Sequence, residues 1–408
     1  MMIGEKIFCG CDIGSQRIKA SLIRRKKDHC ELLGVNESLT RGLGKSTVND
    51  LGELADCIHY CLKGLMKKAS CKVKDVNLGI GGHLIESRFS DTMIPLVDRG
   101  NKIILTSDVK KVNKQTCLLG VNIEEEILHG FSQNYIVDDN EAVRNPIGLV
   151  GHKLGARFLL MICKANLVNN IAKAVHQAGY EVAKVAFSSL CAGEASLNKK
   201  MKEKGCALID IGSGTTDILI YQEGFLKELD VIHLGGDHVT ACLAKTLNLP
   251  LGLAEEIKKS YAAAVDEDSQ PNREILVKRE TEYMPIKRKS VYQSVEPEIA
   301  RLVNCIENTI KCSKFYETIE SGVVMVGGGS LLPGLIERIE KAVHLPVALG
   351  KTNCAANRLN SPAVYSAAVG LAQSGFDQSL QPALTSGEHT TPIGRLMNSV
   401  KEWYQEYF

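Results

Sequence analysis

Apolar positions divide the chain into short buried strands and amphipathic helices. Residues 7–13 read as a buried strand, a glycine turn follows, and 18–24 reads as a second strand. Over 51–66, Leu51, Leu54, Ala55, Ile58, Leu62 and Leu65 recur at helical spacing and predict an amphipathic helix. Strands are predicted at 76–80, 182–185, 206–211, 218–221 and 323–326, with a helix over 167–178. A long helix over 295–315 carries Ile299, Leu302, Val303, Ile306 and Ile310 on one stripe. Between 81 and 163 the pattern turns mixed, with strands near 85–89 and 158–162 and a helix opened by Thr106, Ser107 and Asp108. That stretch reads as an inserted small domain. Residues 266–279 are polar, broken by Pro271, and read as a loop, while 377–390 read as a linker.

One unit occurs twice. A strand, an acidic residue, a glycine turn and a returning strand span 9–22 and again 207–221. Such an echo is what duplication within a two-lobed nucleotide-binding fold leaves behind. The loops read Asp12-Ile13-Gly14-Ser15 and Asp210-Ile211-Gly212-Ser213-Gly214-Thr215-Thr216-Asp217. Glycine lets backbone N–H groups approach a phosphate, and the hydroxyls of Ser15, Ser213, Thr215 and Thr216 add donors. A carboxylate beside a triphosphate repels it unless a hard cation stands between them. Asp12 and Asp210 therefore point to Mg2+, held through water. A single loop of this kind is more often an ordinary glycine-rich hairpin; two at matching points, with a third glycine element, are not. Neither a Walker A sequence nor G-x-G-x-x-G after a strand is present. The third element is Gly327-Gly328-Gly329-Ser330, with a helix expected to start at Pro333 or just before it. Gly235, Gly236 and Asp237 open another helix in a similar way.

Composition narrows the classes. The 408 residues suffice for about two or three domains. A net charge of +2, from 49 basic and 47 acidic residues, provides no concentrated basic face for nucleic acid. The 14 cysteines contain no C-x-x-C pair, so reduced, packed thiols in a cytosolic compartment are expected rather than zinc. Residues 1–6 run straight into a strand, unlike a signal peptide, and no apolar run reaches the roughly 18 residues of a membrane span.

The glycine elements, in this order, resemble the actin/Hsp70/sugar-kinase superfamily. SLTRGL at 38–43, QNYIVD at 133–138, RNPIG at 144–148, LGGDHVT at 234–240 and VGGGSLLPG at 326–334 narrow the resemblance to the FtsA family of bacterial cell-division proteins, from about 8 to 408. The resemblance implies an α/β, actin-like two-lobed ATPase fold with an inserted 1C-type subdomain and a C-terminal amphipathic helix. It implies ATP between the lobes, self-assembly into actin-like protofilaments, and tethering of the tubulin-like FtsZ to the cytoplasmic face of the inner membrane alongside other division proteins. Subdomain 1A would take 1–81, 164–204 and 351–376, 1C 82–163, 2A 205–245 and 321–350, and 2B 246–320. A linker at 377–391 and a membrane-targeting helix at 392–408 would follow. Nucleotide contacts would fall on Asp12, Gly14, Ser15, Gln16, Arg17, Asp210, Gly212, Ser213, Gly214, Thr215 and Thr216. Adenosine contacts would fall on Gly235, Gly236, Asp237, Glu255, Lys258, Gly327, Gly328, Gly329 and Ser330.

The tail has its own pattern. Ile393, Leu396, Met397, Val400, Trp403, Tyr404, Tyr407 and Phe408 recur at helical spacing behind Thr391-Pro392, as in an interfacial membrane helix. Glu402 and Glu406 offset Arg395 and Lys401, so apolar burial must do most of the lipid binding. A helix docked on the core is the plainer alternative. Three departures from the family matter. The second loop reads Gly212-Ser213-Gly214 where the family usually has three glycines, and the serine keeps a donor, so ATP binding is expected to survive. The segment 186–191 lacks the Gln or Glu that orients water in active hydrolases, so slow or negligible hydrolysis is expected. Glu298 stands where the family commonly has an arginine for the FtsZ C-terminal peptide, leaving Arg301 with Lys287, Arg288 and Lys289 as candidates. A PilM-like pilus-assembly scaffold and a small-metabolite kinase are the rival readings.

Overall fold

The computed structural model describes residues 6–26, 30–45, 47–96, 102–138, 142–266, 274–279, 282–354 and 359–374. They divide into two compact units, one built from Met1–Leu84 and Asn170–Phe376, the other from Ile85–Asn169.

In the first unit, β1 (Lys6–Ile13), β2 (Arg17–Arg25) and β3 (Cys30–Leu39) form an antiparallel meander. α1 (Leu51–Ala69) is capped by Asp50, whose carboxylate accepts the Glu53 N–H at 2.9 Å. It buries Leu54, Ala55, Ile58, Cys61, Leu62 and Leu65, but Leu51, in the first turn, is exposed. β4 (Asp75–Ile80) returns parallel to β1, and a 3-10 turn, Gly82–Leu84, follows.

The second unit contains β5 (Glu86–Pro95), β6 (Lys102–Ile103), α2 (Thr106–Leu119), β7 (Glu125–Val137), β8 (Val150–Gly151) and β9 (Lys153–Lys164). Its sheet has the antiparallel order β5-β9-β7, and Val112 and Cys117 of α2 join a core that includes Tyr135, Phe158 and Leu160. Both strands expected here run well beyond 85–89 and 158–162.

α3 (Ala165–Gln177) leads to β10 (Glu181–Phe187), α4 (Ser188–Ser196) and α5 (Lys199–Lys204). The second sheet then opens with β11 (Cys206–Ile211), β12 (Thr216–Gln222) and β13 (Phe225–Ile232). After α6 (Gly236–Thr246) and α7 (Leu251–Tyr261), β14 (Glu274–Arg279) pairs with β15 (Glu282–Lys287). The loop expected at 266–279 thus ends in a strand: Ile275, Val277 and Ile286 are buried in a hairpin short enough to look polar. α8 (Arg288–Cys312) begins seven residues before the expected helix and runs through Pro297. The Ser294 hydroxyl donates to the Ser290 carbonyl at 2.6 Å, taking up an acceptor in the turn just before the proline.

β16 (Val323–Val326), α9 (Leu335–Val343), β17 (Val347–Leu349) and α10 (Ser366–Ser374) complete the unit. α9 starts later than Pro333, because Gly334, at φ +76°, turns the chain first. α10 presses its small residues onto both β1 and α4. A Cβ on Gly10 would meet the Ala368 carbonyl at 2.1 Å, and one on Gly370 would meet the Cys191 carbonyl at 1.8 Å. The linker and tail helix expected at 377–408 lie outside the described residues.

The strand orders are β10-β4-β1-β2-β3 and β13-β12-β11-β16-β17. In each, a central strand has an antiparallel hairpin partner on one side and two parallel strands on the other. The duplication seen as a motif is therefore a duplication of topology.

Candidate functional site

The hairpin turns of the two sheets face one cavity of about 540 Å³. Each turn is closed by the same bond: Gly14 N–H donates to the Arg17 carbonyl at 3.2 Å, and Gly212 N–H to the Thr215 carbonyl at 2.9 Å. The equivalent serines meet, with Ser15 Oγ and Ser213 Oγ 2.7 Å apart. Asp12 and Asp210 stand at equivalent points, one residue before the ends of β1 and β11, and both line the cavity. The protein packed around them raises both carboxyls, Asp210 to about 6.

α4 ties the two hairpins together. Ser188 donates to Asp12 Oδ1 at 2.6 Å, and Ser189 donates to Asp217 Oδ2 at 2.5 Å. Gln16 and Arg17 also line the cavity. The Gln16 carbonyl accepts the Thr40 N–H at 2.9 Å, and Arg17 pairs with Glu37 at 2.6 Å.

A second glycine set forms the other end. Gly236 and Asp237 N–H groups donate to the carbonyls of Gly212 and Ser213 at 3.0 and 2.8 Å. Gly235 has no room for a side chain, since a Cβ would lie 2.6 Å from the Ser213 carbonyl. Lys258 Nζ reaches Glu255 at 2.7 Å, the Gly236 carbonyl at 2.9 Å and Thr240 Oγ1 at 2.8 Å. This network, with Thr240 also donating to Glu255, holds the Glu255 carboxyl down at about 2 despite burial. Gly327 has φ +84°, and a Cβ there would meet Asp210 Oδ1 at 2.4 Å; Gly328 faces open space. Gly329 joins them in the lining.

Two expected contacts are turned inward. Thr216 is fully buried and donates to the Leu234 carbonyl, and Ser330 donates to the Gly327 carbonyl at 2.7 Å. Their hydroxyls hold turns together instead of facing the cavity. The basic candidates do not form one patch either. Lys287, Arg288 and Lys289 stand where β15 meets α8, whereas Arg301 lies about 20 Å farther along that helix, beside Glu298 at 3.5 Å.

Sequence reading assigned no contact to Ser188, Ser189, Asp217 or the turn after β4. The available signal was Gly81-Gly82, which follows β4 as Gly327-Gly328 follows β16.

Two matched sheets with facing glycine turns, and a small domain inserted after the first sheet's fourth strand, define an actin-like protein. Solved structures share this fold: the PilM-PilN type IV pilus biogenesis complex (TM-score 0.65, 16% identity, 91% of this chain and 98% of that one) and MreB5 of Spiroplasma citri bound to ADP (0.54, 12%, 94% and 99%). A family model for cell division protein FtsA matches 207–370, and one for the SHS2 domain inserted in FtsA matches 82–162; together they take in more than half of the chain. Relatives include the cell division protein FtsA of Pseudomonas aeruginosa, 29% identical over 99% of this chain and 98% of that protein. FtsA of Escherichia coli K12 is 26% identical over 99% of both. The chain belongs to the FtsA family of cell-division proteins.

Proposed function

We propose that this chain binds ATP with Mg2+ in the cleft and, so loaded, assembles on the inner face of the bacterial membrane and tethers FtsZ. The observation that carries the reading is the pair of equivalent glycine turns meeting at Ser15 and Ser213 above two carboxylates. Bare backbone N–H groups and hydroxyls suit a phosphate chain. Asp12 and Asp210 would face that chain with like charge, so a hydrated Mg2+ between them is the chemistry that reconciles the two. The cradle fits the rest of a nucleotide: Gly328 leaves room for a flat ring, and the Glu255–Lys258–Thr240 network supplies fixed polar groups beside it. Ser188 and Ser189 are engaged with Asp12 and Asp217, so neither is set to orient a water, and turnover should stay below about one per second.

Among the described residues no helix is long and apolar enough to cross a membrane. The 392–408 segment is the proposed attachment, by its apolar face. Arg301 is the proposed contact for the acidic end of FtsZ. Vesicle co-sedimentation with Mg-ATP and FtsZ tests the whole reading. The full chain should carry FtsZ into the pellet, and deletion of 392–408 should leave both in the supernatant. Undiminished pelleting of the truncated protein would refute the attachment.

A further inference from the structure

The turn Gly82–Leu84, which leads from the first sheet toward β5, is seated on the second hairpin. A Cβ on Gly82 would meet Asp217 Oδ1 at 2.2 Å, and one on Gly214 would meet His83 Nε2 at 2.7 Å and Ser15 Oγ at 3.3 Å. His83 stacks on His233, with ring centroids 5.2 Å apart and planes 4° from parallel. The second loop has a direction. The Gly212 and Ser213 carbonyls accept from the Gly236 and Asp237 N–H groups, on the side of Glu255 and Lys258, while Gly214 abuts His83. In the duplicated plan, Gly82–Leu84 is the counterpart of the turn Gly328–Leu331. One copy stands at the end proposed for the base, the other against Gly214 of the second loop.

We propose that His83 contacts the terminal phosphate of the bound nucleotide and makes the cleft distinguish a triphosphate from a diphosphate. The inference rests on the reading of the cleft as a nucleotide site. An imidazole N–H is a suitable donor to a phosphate oxygen, and it gains strength when charged. Without ligand, burial first, then His233, Lys45 and His238, hold the His83 ring below its ordinary value. Asp217 on β12 is the acidic group near this turn, and burial together with Asp210 pushes it up to about 7. A triphosphate placed against His83 reverses the balance of charge there and favours the imidazolium. Triphosphate binding should then take up a proton at His83 and tighten as pH falls toward 6.5, more than diphosphate binding does.

Titration calorimetry of Mg-ATP and Mg-ADP into the full chain, at pH 6.5 and 8, tests this. His83→Gln should weaken Mg-ATP by about tenfold and Mg-ADP by less than twofold, and should remove the excess tightening of Mg-ATP at pH 6.5. Asp217 titrates in both proteins, so the difference between them isolates His83. His233→Phe keeps a stacked ring but removes the imidazole that lowers His83, and should tighten Mg-ATP at pH 6.5. An unchanged ATP-to-ADP preference in folded His83→Gln overturns the inference, as does unchanged or weaker ATP binding by His233→Phe. If the unaltered chain binds neither nucleotide, the reading of the cleft itself falls.

Discussion

The two loops of the cleft share a backbone and differ in what surrounds it. Each leaves its strand at an aspartate, closes with a glycine N–H bonded three residues on, and presents a serine to its counterpart. In the first loop the third position is Gln16, whose carbonyl accepts the Thr40 N–H, and the Thr40 hydroxyl and the Arg17–Glu37 pair hold its neighbours. In the second that position is Gly214, with His83 where a side chain would go. The strand register differs in charge too: Asp12 lies opposite Lys19, whereas Asp210 lies opposite Asp217. Duplication therefore preserved the turn and let its surroundings diverge. One loop is held from outside by Thr40 and by the Arg17–Glu37 pair, and the other abuts His83 at its third position.

Exchanging the third positions should break this contrast most visibly. Gly214→Gln places a side chain on His83 and should weaken Mg-ATP by about a hundredfold, whereas Gln16→Gly should cost no more than about threefold, both read by calorimetry. The aspartates come next. Asp12→Asn and Asp210→Asn should each lower Mg-ATP affinity by about tenfold, and most of the loss should disappear when affinities are compared without Mg2+. If either substitution weakens metal-free nucleotide equally, its carboxylate does not serve the cation.

The charge difference should show in pH dependence. Asp210 and Asp217 are raised by burial, to about 6 and about 7, so in the folded protein both hold protons more tightly than in the unfolded chain. Their protonated forms favour the native state. That contribution is complete below the unfolded carboxylate value of about 4 and is lost as pH rises through 6 and 7. The thermal midpoint of nucleotide-free protein should fall between pH 5 and 8, and Asp217→Asn should flatten the fall. A midpoint that rises over this range would contradict the assignment. The smallest effect belongs to the serine contact: Ser15→Ala and Ser213→Ala should each change stability by no more than about 1 kcal/mol, and equally, since they remove the same bond.

Legibility in the sequence followed the physical cause. Asp12-Ile13-Gly14 and Asp210-Ile211-Gly212 were visible because close backbone approach demands glycine beside a strand end. β11 was visible because a strand buried on both faces is apolar throughout. β7 and β3 were missed, since partly exposed strands with polar residues such as Glu125, Gln133, Asn36 and Glu37 show little periodicity. α10 was missed because its Ala, Ser and Gly residues are chosen for close packing on β1, not for an apolar stripe. The first turns of α8 were missed because the apolar stripe used to find the helix begins only near Val295, whereas the helix starts at Arg288. The contacts of Ser188, Ser189 and His83 link positions far apart in the chain or separated by the inserted unit, and no local pattern announces them.

Amide hydrogen exchange of the full chain, with and without Mg-ATP, reads both loops at once. Backbone donors converging on one triphosphate should slow exchange together over 12–17 and 210–217, with half-saturation at the same nucleotide concentration. Protection confined to one loop, or absent from both in folded protein, would contradict a single site shared by the two halves.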